Sequence, residues 1–258
     1  MMASSSTSPD EALFSIALIS FYIFAPVTYL SLQFLVVPYG KHFRSGWGPS
    51  LDPTIAWAIM ESPTLFVTLS IFPLGSNRSS PLALCLISFY LLHYFHRTCL
   101  YPLYLLNKPS SSVPLSIASF AFLFNLLNAY LQSRWISHYA DLDLISWARV
   151  LLGSVVFFAG FALNVWSDRV LVGLKKQGKG YRVPRGGMFE LVSCPNYLGE
   201  LIEWLGWAIM TWSWVGLGFF LNTWANLVPR ARSHRRWYLD KFPEEYPRSR
   251  KAIIPLVY

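Results

Sequence analysis

The sequence predicts an all-α, polytopic membrane protein, and three observations predict it. Of 258 residues, 54% are apolar or aromatic, and only 13% are Asp, Glu, Lys or Arg, about half the ~25% charge of a soluble domain. Apolar runs recur from residue 13 to residue 228 with no polar half between them. That points to one integral membrane domain spanning 1–258, without a separate extramembrane one. The runs are continuous rather than alternating with period two, which excludes a closed barrel.

Residues 1–12 contain no Lys or Arg but do contain Asp10 and Glu11, the wrong sign for a cleaved signal peptide, so the first run is expected to remain as an anchor. That run, 13–37, is uncharged and exceeds the ~20 residues needed to cross a bilayer. The second, 53–74, carries Glu61 and Pro63. The third, 81–106, carries His93, His96 and Arg97 in its latter part. A fourth covers 113–131. A fifth covers 144–166, with Arg149 near enough to its start to snorkel. Residues 196–228 are long enough for two tightly connected spans with a boundary near 213–218, giving seven helices.

Charge sets the orientation. With the N-terminus lumenal, 17 Lys and Arg residues fall on the cytosolic side: Lys41, Arg44, Lys108, six between Arg169 and Arg185, and eight between Arg230 and Lys251. Only Arg78, Arg134 and Arg149 fall on the other, as the positive-inside rule demands. Six spans would place the eight tail charges on the wrong side. The net charge of +8 is concentrated late, since residues 167–258 hold 14 basic and 7 acidic groups against 7 and 6 before them. The three cysteines, Cys85, Cys99 and Cys194, lie in or beside apolar runs, in neither a disulfide framework nor a zinc pattern. Asn77 and Ser79 form a glycosylation sequon in a short loop expected to be lumenal.

Several polar groups sit where membrane helices rarely keep them. Gly173, Gly178 and Lys179 match part of a phosphate loop, but Gly180 stands where Ser or Thr must reach magnesium, and no strand precedes them. No dinucleotide-binding glycine fingerprint occurs either. Glu61 lies inside a span, where it either makes a structural hydrogen bond near the Pro63 kink or faces a cavity as a protonated donor. His93, Tyr94, His96 and Arg97 crowd one turn; an interfacial cluster is the ordinary account, but apolar sequence continues beyond them to Leu106. A Tyr hydroxyl near a buried acid is a good donor to a developing oxyanion.

Asn164 and Asp168 stand one turn apart at the end of the fifth span, followed by a basic loop with Lys175, Lys176, Lys179, Arg182 and Arg185 around Tyr181. Ser193 and Pro195 read as the cap and first turn of the next helix. On it Asn196, Glu200 and Glu203 make a polar stripe that must face protein or ligand. Arg230, His234 and Tyr238, spaced by four, share one helical face, while Arg248, Arg250 and Lys251 read as a solvated tail. Basic loop and basic tail on one side suit an anionic ligand held between them. Nucleic acid is disfavoured, because these charges are split among helix ends and no nucleic-acid motif is present.

The blocks HYFHRT (93–98), NVWSD (164–168), YRVPRGG (181–187), PNYLGELIEW (195–204) and RARSHRRWYLDKFPEEYPRSRKAIIP (230–255) resemble the steroid 5α-reductase family in content and order. Within it, the chain is most similar to the plant members of brassinosteroid synthesis. The resemblance implies a seven-helix, multi-pass endoplasmic reticulum membrane enzyme that uses NADPH to reduce the Δ4 double bond of 3-oxo steroids, here campest-4-en-3-one. Carried over by position, Glu61 and Tyr94 match the pair that contacts the 3-oxo group, with Glu61 orienting Tyr94. Arg97, Asn164, Asp168, Tyr181, Arg182, Asn196, Glu200, Arg230, His234 and Tyr238 match cofactor contacts. Lys175 does so at a position that arginine takes in relatives, keeping the charge but losing the bidentate geometry.

The implied division puts the steroid side mainly in 13–131 and the NADPH side mainly in 164–258, with sterol entering from the bilayer and membrane lipids around it. No metal and no obligate protein partner are implied. A trans-2-enoyl-CoA reductase of the same superfamily, a membrane methyltransferase using S-adenosylmethionine and a non-catalytic sterol-binding protein are the alternatives. Substrate and cofactor assays separate them.

Overall fold

The computed structural model describes residues 8–106, 112–176 and 180–258. Lys108, Gly178 and Lys179 lie outside the described residues. Helices dominate: α1 (Pro9–Phe34), α2 (Pro53–Ile71), α3 (Pro81–Phe95), α4 (Tyr101–Leu105), α5 (Leu115–Arg134), α6 (Trp147–Lys176), α7 (Pro195–Thr211) and α8 (Trp214–Lys241). Four helical segments, Pro9–Phe34, Pro53–Leu74, Leu115–Tyr139 and Trp147–Lys175, are long and apolar enough to cross a membrane. Ile16 and Ile23 on α1, Leu69 on α2, Phe120 on α5 and Leu151 on α6 point outward and are exposed. Apolar surface on that scale is what lipid, rather than water, solvates.

Local chemistry explains the helix ends. The Ser8 hydroxyl accepts the Glu11 N–H at 3.2 Å, while the Glu11 carboxylate accepts the Ser8 N–H at 2.9 Å, a reciprocal cap that starts α1. Asp52 and Ser80 cap α2 and α3, each followed by Pro at the first helical position, where its missing N–H costs nothing. Ser193, expected to cap α7, does not: Cys194 holds that position without a side-chain bond, and the Ser193 hydroxyl instead bonds Tyr246 and the Lys251 carbonyl. Trp212 in the left-handed region (φ 46°) breaks the chain between α7 and α8. The Ser213 hydroxyl then accepts the Gly216 N–H at 2.9 Å, so the break lies at the N-terminal edge of the expected boundary.

Three features depart from the sequence reading. Helix α6 runs ten residues past the expected end of the fifth span, so Asp168 sits well inside it and Lys175 and Lys176 belong to its last turn rather than to a loop. A five-residue π turn, His96–Leu100, joins α3 to α4. It carries Arg97 and follows directly on His93 and Tyr94, and such turns often lie at functional sites. The C-terminal tail is not solvated as expected. Arg250 is buried, donating to the Pro184 carbonyl at 3.1 Å and lying 3.5 Å from the Glu190 carboxylate. The Lys251 N–H donates to Leu191 and its carbonyl accepts from Ser193, stitching the tail alongside the start of α7. Asn77 of the sequon is occupied too, donating to the Ile136 and Ala140 carbonyls.

Helix α1 packs on α8, where Asn222 donates to the Phe21 carbonyl at 2.8 Å, and α2 packs on α5, where the Ser133 hydroxyl donates to Thr68 at 2.9 Å. A short antiparallel pair, β1 (Ser50–Leu51) with β2 (Val113–Pro114), sets Ser50 opposite Pro114 and Leu51 opposite Val113. The most extensive contact is α6 on α7, along a seam of glycines. A Cβ on Gly160 would stand 2.2 Å from the Glu203 nitrogen, one on Gly199 2.5 Å from the Asn164 nitrogen, and one on Gly206 2.4 Å from the Phe157 nitrogen. Backbone cannot yield to such overlap, so the seam predicts that Gly199→Val abolishes the monodisperse detergent-solubilised species on size exclusion. Gly173→Ala, where nothing lies within 4 Å of the new Cβ, should keep that species and raise its melting temperature, consistent with ~1 kcal/mol of helix propensity.

Candidate active site

One cavity of about 550 Å³ lies among α2, α3, α5, α6, α7 and α8, within the ~300–1,000 Å³ range of ligand pockets. Every sequence-derived site residue contributes to its wall except Asn164. Their contacts sort them into three groups.

The first group joins α2, α3 and α5. Asn125, buried on α5, donates to the Met60 carbonyl at 2.8 Å and to the Glu61 carboxylate at 3.0 Å. Asn128, about one turn on, donates to the Tyr94 and Tyr90 hydroxyls, both at 3.2 Å. Its oxygen accepts from Gln132 at 3.1 Å, and the Gln132 oxygen accepts the Trp207 indole N–H at 3.0 Å. Tyr94 lies nearly parallel to Trp204, ring centres 5.8 Å apart. The Tyr94 and Tyr90 hydroxyls also hydrogen-bond each other, so a ligand oxygen at Tyr94 would take the phenol donor over from Tyr90. Among the described residues no hydrogen bond joins Glu61 to Tyr94. Each is held by α5, through Asn125 and Asn128 respectively.

The second group ties α3, α6 and α7. Arg97, buried in the π turn, donates to Asp168 at 2.9 Å and lies 3.9 Å from Glu200. Its guanidinium carbon sits 4.6 Å and 4.5 Å from the ring centres of Trp57 and Tyr101. Asn196 donates to the other Asp168 oxygen at 3.1 Å. Asn164, fully buried, donates to the Asn196 carbonyl at 3.0 Å and to Glu200 at 3.2 Å. It therefore stands behind the wall and positions Glu200.

The third group is basic and aromatic. Arg230 lies between the Tyr39 and Tyr197 rings and donates to both hydroxyls, to Tyr197 at 2.9 Å. Tyr197 bonds His234 at 3.0 Å, and the other His234 nitrogen meets His42 at 3.1 Å. The Lys41 ammonium sits 3.8 Å from the centre of the Tyr238 ring and 4.9 Å from that of Trp237, against which Tyr181 also packs. Burial pushes the Lys41 ammonium down to about 7. Burial, with the charges of Lys41 and Arg44, pushes His42 down to about 4. Lys175 and Arg182 complete this part of the wall. Cations stacked on rings suit an anionic, aromatic ligand such as a nucleotide.

The sequence reading missed Asn125, Asn128 and Gln132, although a stripe of amides spaced three and four apart on an apolar helix is the signal used for Asn196, Glu200 and Glu203. Tyr39, Lys41, Trp57 and Tyr197 carried no local signal; only the packing of α8 and the π turn brings them in.

Known proteins resemble this chain over nearly its whole length. The profile of the 3-oxo-5-alpha-steroid 4-dehydrogenase family matches residues 111–258. The chain is 56% identical over 255 residues to the steroid 5-alpha-reductase DET2 of Gossypium hirsutum, covering 96% of this chain and 99% of that one. It is 54% identical over 258 residues to its Arabidopsis thaliana counterpart, covering 96% and 98%. Similarity extends to the 3-oxo-5-alpha-steroid 4-dehydrogenase 1 of Homo sapiens, at 39% over 227 residues, or 85% and 86% of the two chains. The chain belongs to the steroid 5α-reductase family of oxidoreductases.

Proposed function

We propose that this enzyme reduces the Δ4 double bond of 3-oxo-Δ4 steroids to 5α-3-oxo steroids with NADPH, and that campest-4-en-3-one of brassinosteroid synthesis is its substrate. We place it in the endoplasmic reticulum membrane with seven spans, a lumenal N-terminus and a cytosolic C-terminus. The carrying observation is that a ketone-binding pair, Glu61 and Tyr94, and a basic aromatic nest around Arg230 stand on the wall of one cavity.

The residues fit both ligands. Arg230, Lys41, Lys175 and Arg182 suit phosphates, Tyr181 and Tyr238 suit an aromatic base, and Asn196 and Glu200 suit the amide or hydroxyls of the nicotinamide riboside. NADPH, when bound, supplies the hydride. Addition at C5 of the enone leaves negative charge on the 3-oxygen, so a donor aimed there stabilises the transition state more than the ground state. Tyr94 donates a hydrogen bond to that oxygen while Asn128 fixes the phenol, and Glu61, held by Asn125, completes the oxygen's partners. The apolar wall of Trp204 and Phe219 excludes water, which strengthens both bonds. Sterol enters from the bilayer among lipids, and no protein partner is required.

The direct test is membranes containing this protein, incubated with NADPH and campest-4-en-3-one, with products resolved by mass and stereochemistry. A 5α-dihydro product supports the reading; exclusive turnover of trans-2-enoyl-CoA overturns it. Tyr94→Phe is expected to lower kcat by roughly 10²- to 10³-fold, the worth of one oxyanion donor, with NADPH Kd unchanged by fluorescence titration. Arg230→Ala should raise the KM for NADPH by roughly 10- to 100-fold, the worth of a charge-assisted hydrogen bond, and an unchanged KM would move Arg230 out of the cofactor site. A phosphate beside Lys41 would lift its ammonium above about 7, so NADPH binding at pH 8 should take up a proton and weaken as pH rises. Calorimetry in buffers of differing ionisation enthalpy reads that uptake.

A further inference from the structure

Two buried groups of the cavity region have no part in the scheme above. Glu203, on α7, is fully buried, and its hydrogen-bond partner among the described residues is His93: carboxyl oxygen and Nδ1 lie 2.8 Å apart. The other buried acids of the site, Asp168 and Glu200, lie within 4 Å of the permanent charge of Arg97, whereas the direct partner of Glu203 among the described residues is an imidazole, a group that loads and unloads protons. Its second oxygen is sealed and accepts no hydrogen bond among the described residues. A carboxylate with an orphaned oxygen is costly, and sharing a proton with Nδ1 relieves that cost.

The imidazole itself is placed to act. His93 lies on the cavity wall, its ring centre 4.9 Å from that of Tyr94 and 4.6 Å from that of Trp204. Nε2 makes no hydrogen bond among the described residues, yet unlike both nitrogens of the nearby His96 it is not a sealed orphan, so it opens on the cavity. The ketone oxygen belongs at Tyr94, and the carbon that must be protonated after hydride addition, C4, is bonded to the carbonyl carbon.

We propose that the His93–Glu203 pair is the proton source for C4. This rests on the 5α-reductase reading. The resting pair holds two protons, one on Nε2 and one shared between Glu203 and Nδ1, and carries no net charge. Hydride addition at C5 moves the double-bond electrons into an enolate over C4, C3 and the oxygen. The enolate carbon takes the Nε2 proton, forming the C4–H bond and restoring the C3 carbonyl. The shared proton settles on Nδ1 and leaves Glu203 ionised. A solvent proton then reloads the pair, and atoms and charge balance over the cycle. This is the carboxylate–imidazole arrangement of general acid–base catalysis, with Glu203 as the positioning residue and His93 as the catalytic one.

The test uses the full-length protein in detergent, campest-4-en-3-one and NADPH in D₂O, with deuterium at C4 of the 5α product located by NMR at early times. The wild-type protein should place deuterium on one face of C4. His93→Gln and the isosteric Glu203→Gln should each lower turnover by roughly 10²-fold and leave NADPH Kd within about twofold. Their residual product should carry deuterium on both faces, because the enol escapes and is protonated in water. Single-face labelling retained in either folded variant, whatever its rate, overturns the assignment. If His93→Gln fails to fold, Glu203→Gln decides alone. No 5α product from the wild-type protein overturns the reductase reading itself, and the proton source with it.

Discussion

The approach of α6 to α7 is the constraint on which the site depends. Gly153 and Gly160 on one helix and Gly199 and Gly206 on the other stand seven residues apart, and each faces backbone or a Met210 side chain too close for a Cβ. Seven residues are nearly two turns, so both glycines of each helix fall on one face. Only at that separation can the Asn164 amide reach both the Asn196 carbonyl and the Glu200 carboxylate, and Asn196 in turn reach Asp168. A seam with no side chains at its centre thereby fixes the polar residues at its end.

What that seam positions is an ion pair inside a membrane protein. Arg97 with Asp168 is stable there because the remaining valences are occupied: Asn196 takes the second Asp168 oxygen, Glu200 lies near the other guanidinium nitrogen, and Trp57 and Tyr101 cover its faces. A buried pair contributes little net stability, but breaking one side leaves an uncompensated charge costing ~3–5 kcal/mol. The network therefore specifies one arrangement of α3, α6 and α7 more than it strengthens the fold. The amides of α5 do the same for α2 and α3 without charge, holding Glu61 and Tyr94 from a single helix face.

Much of this was legible in sequence because membrane helices penalise polar residues, so each one that persists marks a contact. Glu61, Tyr94, Arg97, Asp168, Asn196, Glu200 and Arg230 all carried that mark and all reach one cavity. Asn164 carried it too, yet stands behind the wall, since a polar residue facing protein and one facing ligand leave the same trace. The π turn after Phe95 has no composition of its own and rests on tertiary contacts. The tail was misread for a related reason. Arg250 looks like a solvated charge until the Pro184 carbonyl and Glu190 are brought to it by chain folding far from it in sequence.

On the proposed reading one cavity takes an apolar molecule and a polyanionic one, and helix α8 explains how. Phe219, Thr223, Leu227, Arg230, His234 and Tyr238 lie on its wall at spacings of three and four, so a single face lines it over ~28 Å at 1.5 Å per residue. Along that face the side chains change from apolar to basic. On the proposed reading the sterol meets the apolar end from the membrane and the cofactor meets the basic end from the cytosol. The two reacting carbons then come together between those ends, on a wall that also carries Tyr94, Glu200 and Arg97. The register of the ligands is thus set by helix length and polarity gradient, and the chemistry by the few buried polar groups that the glycine seam allows to converge.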